Sequence, residues 1–374
     1  MKRPGDSAPD ADTERRRHCA PKGLARRLLE GCGSPDNAIP GREGPFTGEI
    51  SARENAAIRR GPSASGVPGR TDTAVPGRSI ASDSTPWGIS MAAGVSAQNW
   101  RDRHRLLIEA VLPEMAEGSV VSHQSAAVLY GAPLWRTPLD RVCVTRNRRG
   151  GGRTRPYTKV HGSPLDSAVE IDGMLVTPPA RTVIDLALSL PFEAAVVAGD
   201  GLTGMFGLTE AELAEELSLA RCRHGIAQAK RVVAALDGRS QSAGESLSRL
   251  MLRRQGLPAP ATQGNVLTPD GRFVGRVDFY YEEFATLCEF DGPLRYGRLL
   301  HAAGNVPEAL RREQIRETYL RALGFHVIRW TWNELHTDDP ARRLRTALSR
   351  PRRADGRVEP APAPAPRRIP ALRL

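Results

Sequence analysis

The sequence has few cysteines and no long apolar run, and both absences exclude classes of protein. The five cysteines stand singly, with no Cys-X-X-Cys spacing and no paired histidines nearby, so neither a disulfide framework nor a zinc site is indicated. No apolar run approaches the ~20 residues that a membrane helix needs, and MKRPGDSAPD lacks the apolar core of a signal peptide. We therefore expect no membrane partner and a cytoplasmic location.

Positive charge is what the chain has in excess. Lysine and arginine total 53 against 42 acidic residues, for a formal net charge of +11. Such a balance favours polyanionic partners, because phosphates are neutralised and counterions are released, and DNA is the first partner to expect. An arginine-rich composition that serves only solubility explains the same charge equally well.

The composition changes along the 374 residues, with Gly (36) and Pro (30) concentrated towards the ends. We expect a disordered amino-terminal segment, a small α/β domain, a helical bridge, a second α/β domain and a disordered, extended tail. These are residues 1–96, 97–205, 206–241, 242–348 and 349–374. Met91 lies at the start of the first stretch with globular character. Translation from Met91 in place of Met1 is therefore a hypothesis, and the intact mass of the native protein would decide between the two starts.

Local signals place the elements of the first domain. SHQSAAVLYG predicts a helix with Ser122 as N-cap and Gly131 as its stop, and LDRVCVTRNRR predicts a strand. IDGMLVTPPARTVIDLALSL predicts a strand that leads into a helix, with Thr177 as N-cap. In the bridge, Thr209 and Glu212 predict a capping box.

An acidic constellation lies in RFVGRVDFYYEEFATLCEFDG, which predicts a β-hairpin. Asp278 lies in its first strand. Glu289 and Asp291 are two apart in the second strand, so both side chains point to the same face. Three convergent carboxylates suit a hard cation, and Mg²⁺ is the default. A solvated edge with an ordinary Asp-Gly turn explains the same residues without a metal.

The order of helix, hairpin, helix and strand, with VDF, EFDG and RALGFHVIRW, resembles the PD-(D/E)XK nuclease superfamily, especially its branch related to very-short-patch repair endonucleases. The resemblance implies a restriction-endonuclease-like mixed sheet flanked by helices and Mg²⁺-dependent hydrolysis of DNA. It makes Glu245 the acid of the first helix, Asp278 and Glu289 metal ligands, and Asp291 the residue where the broader pattern has lysine. Arg295 would then lie at the scissile phosphate, but it stays protonated and cannot serve as a general base.

Two of these assignments have simpler alternatives. Glu245 also fits a capping box with the serine three residues before it, which needs no active site. Arg312 and Arg316 lie one helical turn apart, so they could contact backbone phosphates together, or pair with Glu313 and Glu317 on a solvated face.

The strings VVSHQSAAVLYGAPLW, VCVT and TPPARTVIDLA resemble the central and carboxy-terminal part of AbiEi-type antitoxin proteins. The resemblance covers about residues 120–201, and it implies a toxin partner in a bacterial toxin–antitoxin or phage-defence system. The winged helix-turn-helix that usually precedes this part in the family is not recognisable here.

Between the strands of the first domain, TRNRRGGGRTRPYTK has six basic residues and no acidic one. It predicts either a flexible cationic arm that holds phosphates or a solvated hairpin loop. The six are Arg146, Arg148, Arg149, Arg153, Arg155 and Lys159. For His123 we expect a structural role, and for Trp330 and Trp332 a place in the core.

Three hypotheses for function follow. The first is a metal-dependent DNA endonuclease, or a decayed relative that binds DNA without cutting it. The second is a non-enzymatic antitoxin-like regulator whose nuclease-type fold is only a binding scaffold. The third is a protein-interaction module whose basic surface recruits an acidic partner.

Overall fold

The computed structural model describes residues 100–292 and 306–374. The predicted disorder of residues 1–96, the alternative start at Met91 and the predicted role of Arg295 fall outside the described residues. The described residues belong to one compact unit. Its two mixed sheets are flanked by helices, which confirms the predicted mixed α/β class. Within the described ranges, every helix is too short or too polar to span a bilayer.

The strands alternate with helices along the chain. The described strands are β1 (Ser119–Val121), β2 (Val142–Asn147), β3 (Gly152–Thr154), β4 (Thr158–Ser163), β5 (Ser167–Ile171), β6 (Met174–Val176), β7 (Ala261–Leu267), β8 (Phe273–Tyr281), β9 (Thr286–Asp291), β10 (His326–Thr331), β11 (Arg357–Pro360) and β12 (Ala371–Arg373). The described helices are α1 (Trp100–Val111), α2 (His123–Tyr130), α3 (Pro179–Ser189), α4 (Phe192–Phe206), α5 (Glu210–Leu219), α6 (Ile226–Val233), α7 (Ala243–Arg254), α8 (Val306–Ala322) and α9 (Asp339–Ala347).

The helix caps follow the sequence signals with one exception. Ser122 and Gly131 bound α2, and Gly131 has the left-handed φ of 77° that favours glycine. The capping box of Thr209 and Glu212 is confirmed at α5. The N-cap predicted at Thr177 is wrong by one residue: Pro178 occupies the N-cap position of α3 without a side-chain hydrogen bond, and the Thr177 hydroxyl bonds to the Thr182 hydroxyl (2.8 Å).

The first sheet has the order β12-β5-β6-β1-β2-β4-β3, and its main core lies under α2, α3 and α4. The second has the order β10-β9-β8-β7-β11, with β10 parallel to β9 and the other pairs antiparallel. Helices α7 and α9 cover one face of the second sheet, and α8 covers the other. Trp330 is fully buried and Trp332 packs on the same core, as predicted. We call this sheet with α7, α8 and α9 the nuclease-type half, a name that refers only to the resemblance predicted from its sequence.

The carboxy-terminal tail is part of both sheets, so the prediction of a disordered tail over residues 349–374 is wrong. β11 pairs with β7, and β12 pairs with β5. Val358 and Ala361 are 9% and 3% exposed. The proline-rich composition suggested solvation, but proline is tolerated in edge strands, and the tail supplies edge strands to both sheets.

A buried ion pair joins the two halves of this unit. Asp200 of α4 is fully buried and accepts a hydrogen bond from Arg249 of α7 (2.7 Å) and another from the backbone N–H of Asp237 (2.7 Å). Burial raises the pKa of Asp200 to about 6, although Arg249 lowers it. Val197 belongs to the core of the second sheet and Leu250 to that of the first, so the halves share their packing.

We predict that Arg249→Met lowers the free energy of unfolding by about 3–5 kcal/mol, because it leaves Asp200 buried without its cation. Urea unfolding at pH 7 measures the effect. The matched control is Arg254→Met on the same helix, whose ion pair with Glu193 (3.2 Å) is exposed and is worth at most about 1 kcal/mol. Equal losses in the two variants would show that the buried pair does not join the halves.

Candidate acidic site and basic edge

The backbone pairing between β8 and β9 ends next to Asp278. The ladder pairs Tyr281 with Thr286 and reaches Phe279 opposite Cys288. Beyond that point, Asp278 Oδ2 accepts a hydrogen bond from the backbone N–H of Phe290 (2.8 Å). The Asp278 side chain therefore accepts a hydrogen bond from a backbone amide of β9 that β8 would otherwise bond through its own backbone. The predicted central acid lies where the pairing of the two strands ends.

Glu289 is the most tightly held of the predicted acids. Its side chain is 1% exposed. Oε1 accepts a hydrogen bond from Arg316 Nη2 (2.6 Å), and Oε2 accepts one from Arg329 Nε (2.8 Å). Because both oxygens are bonded to guanidinium groups, the carboxylate is neutralised by arginine from two different elements, α8 and β10.

The two arginines are fixed in turn by glutamates of α8. Glu313 accepts hydrogen bonds from Arg316 Nη2 (2.7 Å) and from Arg329, and Glu317 pairs with Arg329 Nη1 (3.0 Å). Burial alone would lower the pKa of Arg316, but Glu313 and Glu289 together raise it above its ordinary value. Arg316 therefore stays charged, and this arginine–glutamate network ties α8 to β9 and β10.

A glycine on β8 makes room for this network. A Cβ atom at Gly275 would lie 3.2 Å from both Cδ and Nη1 of Arg316, closer than most real Cβ contacts. The Arg316 side chain therefore crosses β8 at a position without a side chain before it reaches Glu289. A larger residue at 275 would push the guanidinium away from the carboxylate.

Glu245 has the contacts of a cap and one more. The Ser242 hydroxyl accepts a hydrogen bond from the backbone N–H of Glu245 (3.2 Å), as its capping alternative predicted. The Glu245 carboxylate accepts from the Gln241 N–H (2.9 Å) and from Gln263 Nε2 (2.6 Å). Gln263 has a φ of 57° and lies across from Asp278, between the pairs that β7 makes with β8. Whether Glu245 acts together with Asp278 stays a prediction.

The expected convergence of Asp278, Glu289 and Asp291 on one cation is not found. Within residues 100–292 and 306–374, no group of three or more His, Cys, Asp or Glu side chains could hold a metal ion. Magnesium takes oxygen ligands at about 2.1 Å, whereas the Glu289 oxygens already accept hydrogen bonds from arginine. The residues present therefore do not fit Mg²⁺ unless Arg316 and Arg329 move away.

The predicted phosphate contacts on α8 differ from one another. Arg312 pairs with Glu308 (2.9 Å) on the exposed face of the helix. Arg316 is turned inward to Glu289 and Glu313, with only 16% of its side chain exposed. Arg312 and Arg316 therefore do not face a phosphate backbone together. The alternative, pairing with Glu313 and Glu317 on a solvated face, holds only in part: Arg316 pairs with Glu313 but is turned inward, and Arg312 is exposed but pairs with Glu308.

The glycine-rich basic segment forms an exposed edge of the first sheet. All residues from Asn147 to Pro156 are exposed, and β3 pairs with β4. Gly150 and Gly151 have positive φ values, and a Cβ atom at Gly162 would lie 2.3 and 2.2 Å from their carbonyl oxygens. The expected flexible arm is thus a chain folded back against β4. We call residues 146–159 the basic edge.

The side chains of the basic edge have few partners. Arg146 Nε donates to the Ser119 hydroxyl (3.0 Å), and Arg148 Nη2 donates to the Gly151 carbonyl (3.3 Å). In the described part of the chain, none of its six basic residues forms an ion pair. They are Arg146, Arg148, Arg149, Arg153, Arg155 and Lys159.

A stacked pair of histidines, with His123 buried and His161 partly buried, lies next to this edge, and only His123 was considered in the sequence analysis. His123 is 2% exposed and stacks on His161 with ring centroids 3.7 Å apart. Burial lowers the pKa of His123 to about 4 and that of His161 to about 3, with Lys159 and Arg223 nearby lowering them further and Asp185 opposing. Both rings are neutral at pH 7. No sequence signal links 123 with 161, because the packing of α2 against β4 brings them together.

We predict that the protein loses stability as pH falls from about 6.5 to about 4. In that window the unfolded histidines bind protons, while the folded pair does not. Between pH 6 and 5 the wild type should lose up to about 1.4 kcal/mol more than His161→Phe, which keeps the ring but cannot titrate. Urea unfolding at each pH measures this, with exposed His224→Asn as the control. Identical slopes for wild type and His161→Phe would contradict the assignment.

We also predict that Glu289→Gln lowers the free energy of unfolding by about 3 kcal/mol, since it removes a buried carboxylate between two partly buried guanidinium groups. Glu308→Gln, whose partners Arg311 and Arg312 are exposed, should leave the urea midpoint unchanged. If Glu289 instead belonged to a cluster of carboxylates that repel one another, Glu289→Gln would raise the free energy of unfolding. A Glu289→Gln protein that is more stable than the wild type would therefore show that the arginines do not neutralise Glu289.

Comparisons with known proteins add relatives but no function. The chain is 27% identical over 208 residues to uncharacterized proteins from two Mycobacterium tuberculosis strains, CDC 1551 / Oshkosh and H37Rv. The match covers 55% of this chain and 73% of each relative. No protein-family model matches the chain, and no solved structure does. The resemblances to PD-(D/E)XK nucleases and to AbiEi-type antitoxins therefore stay predictions.

Proposed function

We propose that this protein binds DNA through the basic edge and does not cut it by a magnesium-dependent reaction. On this account the nuclease-type half is a scaffold in which arginines take the place of a metal ion. The proposal corresponds to the decayed relative among the three hypotheses. It is also compatible with an antitoxin-like regulator, for which binding without cutting suffices, and the toxin partner remains a prediction.

The observation that carries the proposal is the double pairing of Glu289. Metal-dependent hydrolysis of a phosphodiester needs carboxylate oxygens that are open to the ion. Here one oxygen faces Arg316 at 2.6 Å and the other faces Arg329 at 2.8 Å. An ion would have to displace two guanidinium groups that Glu313 also holds.

The distribution of paired arginines supports the choice of the basic edge. In the nuclease-type half, seven arginines form ion pairs with glutamate or aspartate side chains, so each has a carboxylate beside it that partly offsets its charge. They are Arg311, Arg312, Arg316, Arg321, Arg329, Arg342 and Arg343. The basic edge has no such pairing among the described residues, so its charge is open to phosphate.

We predict that the combined variant Arg148→Ala, Arg149→Ala, Arg153→Ala and Arg155→Ala binds a fluorescent duplex at least about tenfold more weakly at low salt. Each lost phosphate contact should lower the slope of log K against log salt by about 0.9. The matched control replaces four arginines of the nuclease-type half with alanine, at positions 311, 312, 321 and 342. It removes the same charge and should bind almost normally. Equal losses would show that net charge, not the basic edge, determines binding.

We predict that the purified protein leaves supercoiled plasmid uncut in Mg²⁺ or Mn²⁺. Asp278→Ala and Glu289→Ala proteins run beside it separate the interpretations. Cutting by the wild type that both variants lose would overturn the proposal and favour the endonuclease. Cutting that persists in both variants indicates a contaminating nuclease. The three proteins are then purified further and the assay is repeated.

A further inference from the structure

The basic edge has a fixed, protruding shape. Ten consecutive residues from Asn147 to Pro156 are exposed, at the outer edge of the first sheet. Their turn is held by backbone contact, because the Gly150 and Gly151 carbonyls lie against Gly162, where any side chain would clash. A protrusion that is already shaped loses little conformational freedom when it binds, which favours a rigid ligand of complementary shape.

The protrusion lacks the groups that hold single strands. Proteins that bind single-stranded nucleic acid stack the bases on aromatic side chains. Tyr157 is the aromatic residue between 146 and 159, and it is partly buried against the first core. Within the basic edge, therefore, no exposed aromatic ring is available for a base.

The protrusion also lacks a free amide for reading bases. Asparagine and glutamine recognise adenine through both groups of the side-chain amide. Asn147 is the amide residue of the segment, and its Oδ1 accepts a hydrogen bond from the backbone N–H of Leu165 (3.2 Å). Arg148 is bonded to the Gly151 carbonyl at 3.3 Å. What remains exposed is mainly Arg149, Arg153 and Arg155, whose guanidinium groups form no hydrogen bond in the described part of the chain that would fix them for the bidentate contact with guanine. Their contacts are therefore with phosphates, which carry no sequence information.

We infer that the basic edge binds double-stranded DNA by its phosphate backbone, without regard to base sequence, and discriminates against single strands. This inference rests on the proposed function and names the form of DNA that the site takes. A duplex presents one charge per about 1.7 Å of its axis, against about 3.4 Å for one strand. A compact set of cations gains more from the denser array. The major groove, about 12 Å wide, also admits a two-stranded β-ribbon such as β3 with β4.

The test uses the full chain and three fluorescent probes at 100 mM salt: a mixed-sequence 20-base-pair duplex, one of its strands, and an all-A·T duplex. We expect the mixed duplex to bind at least about tenfold more tightly than its single strand, and the two duplexes to agree within about threefold. A single strand that binds as tightly as the duplex overturns the inference and leaves the proposed function standing. A tenfold difference between the duplexes overturns its claim of sequence independence.

Two variants make the test specific to the basic edge. Thr154→Tyr adds an exposed ring beside Lys159, its register partner across β3 and β4. It should tighten single-strand binding about tenfold and narrow the preference for duplex. The variant without Arg148, Arg149, Arg153 and Arg155 should lose the preference. If that variant keeps the duplex preference unchanged, the discrimination lies elsewhere and the inference is wrong. Absence of binding to every probe even at low salt would instead refute the proposed function itself.

Discussion

The carboxylate of Glu289, clamped between Arg316 and Arg329, is the interaction on which the nuclease-type half depends. A buried carboxylate costs several kcal/mol unless it is paired and hydrogen-bonded on each oxygen. Here the two partners come from α8 and β10, and Glu313 holds both of them. The same clamp therefore docks α8 on the sheet and occupies the oxygens that a metal ion would need. One side chain, Glu289, thus contributes both to the docking of α8 and to the reduced room for a metal ion.

Ion pairs such as those of Glu289 also reduce how much of the chain's positive charge is open to a partner. The formal net charge of +11 suggests a uniformly basic protein, but much of the arginine in the nuclease-type half is engaged with acidic neighbours. Ion pairs within a fold contribute little to the field outside it. The six cations of the basic edge form no ion pair among the described residues, and several exposed arginines of the nuclease-type half, among them Arg276, Arg352 and Arg353, form none there either. Arginine holds the fold in both halves, since Arg181 and Arg223 pair with the buried Asp185 of the first half. On our proposal the arginines of the basic edge bind phosphate in addition.

Local signals made much of this fold predictable. The hairpin of β8 and β9, the caps of α2 and α5, and the helix α7 follow from periodicity and capping residues, which act within a few positions. The strand β7 was missed, because ATQGNVL has no apolar alternation, contains Gln263 with a positive φ, and changes its register with β8 between Val266 and Leu267. The tail was mistaken for a solvated segment, because backbone pairing in edge strands leaves little trace in composition.

The candidate site was harder to predict than the elements that carry it. The acidic residues were visible in the sequence, but the partners of Glu289 lie 27 and 40 residues away. The spacing of carboxylates predicts their faces on a strand, and it says nothing about a cation that another element supplies. Gly275 is the one local hint, since a glycine within β8 indicates the close approach of another group.

The most direct measurement is a crystal structure of the protein grown with Mn²⁺, whose anomalous scattering marks the position of any bound ion. We predict that Arg316 and Arg329 remain within hydrogen-bond distance of Glu289, with no anomalous peak beside Asp278 or Glu289. A manganese ion coordinated by those two carboxylates, with Arg316 turned away, would contradict this prediction.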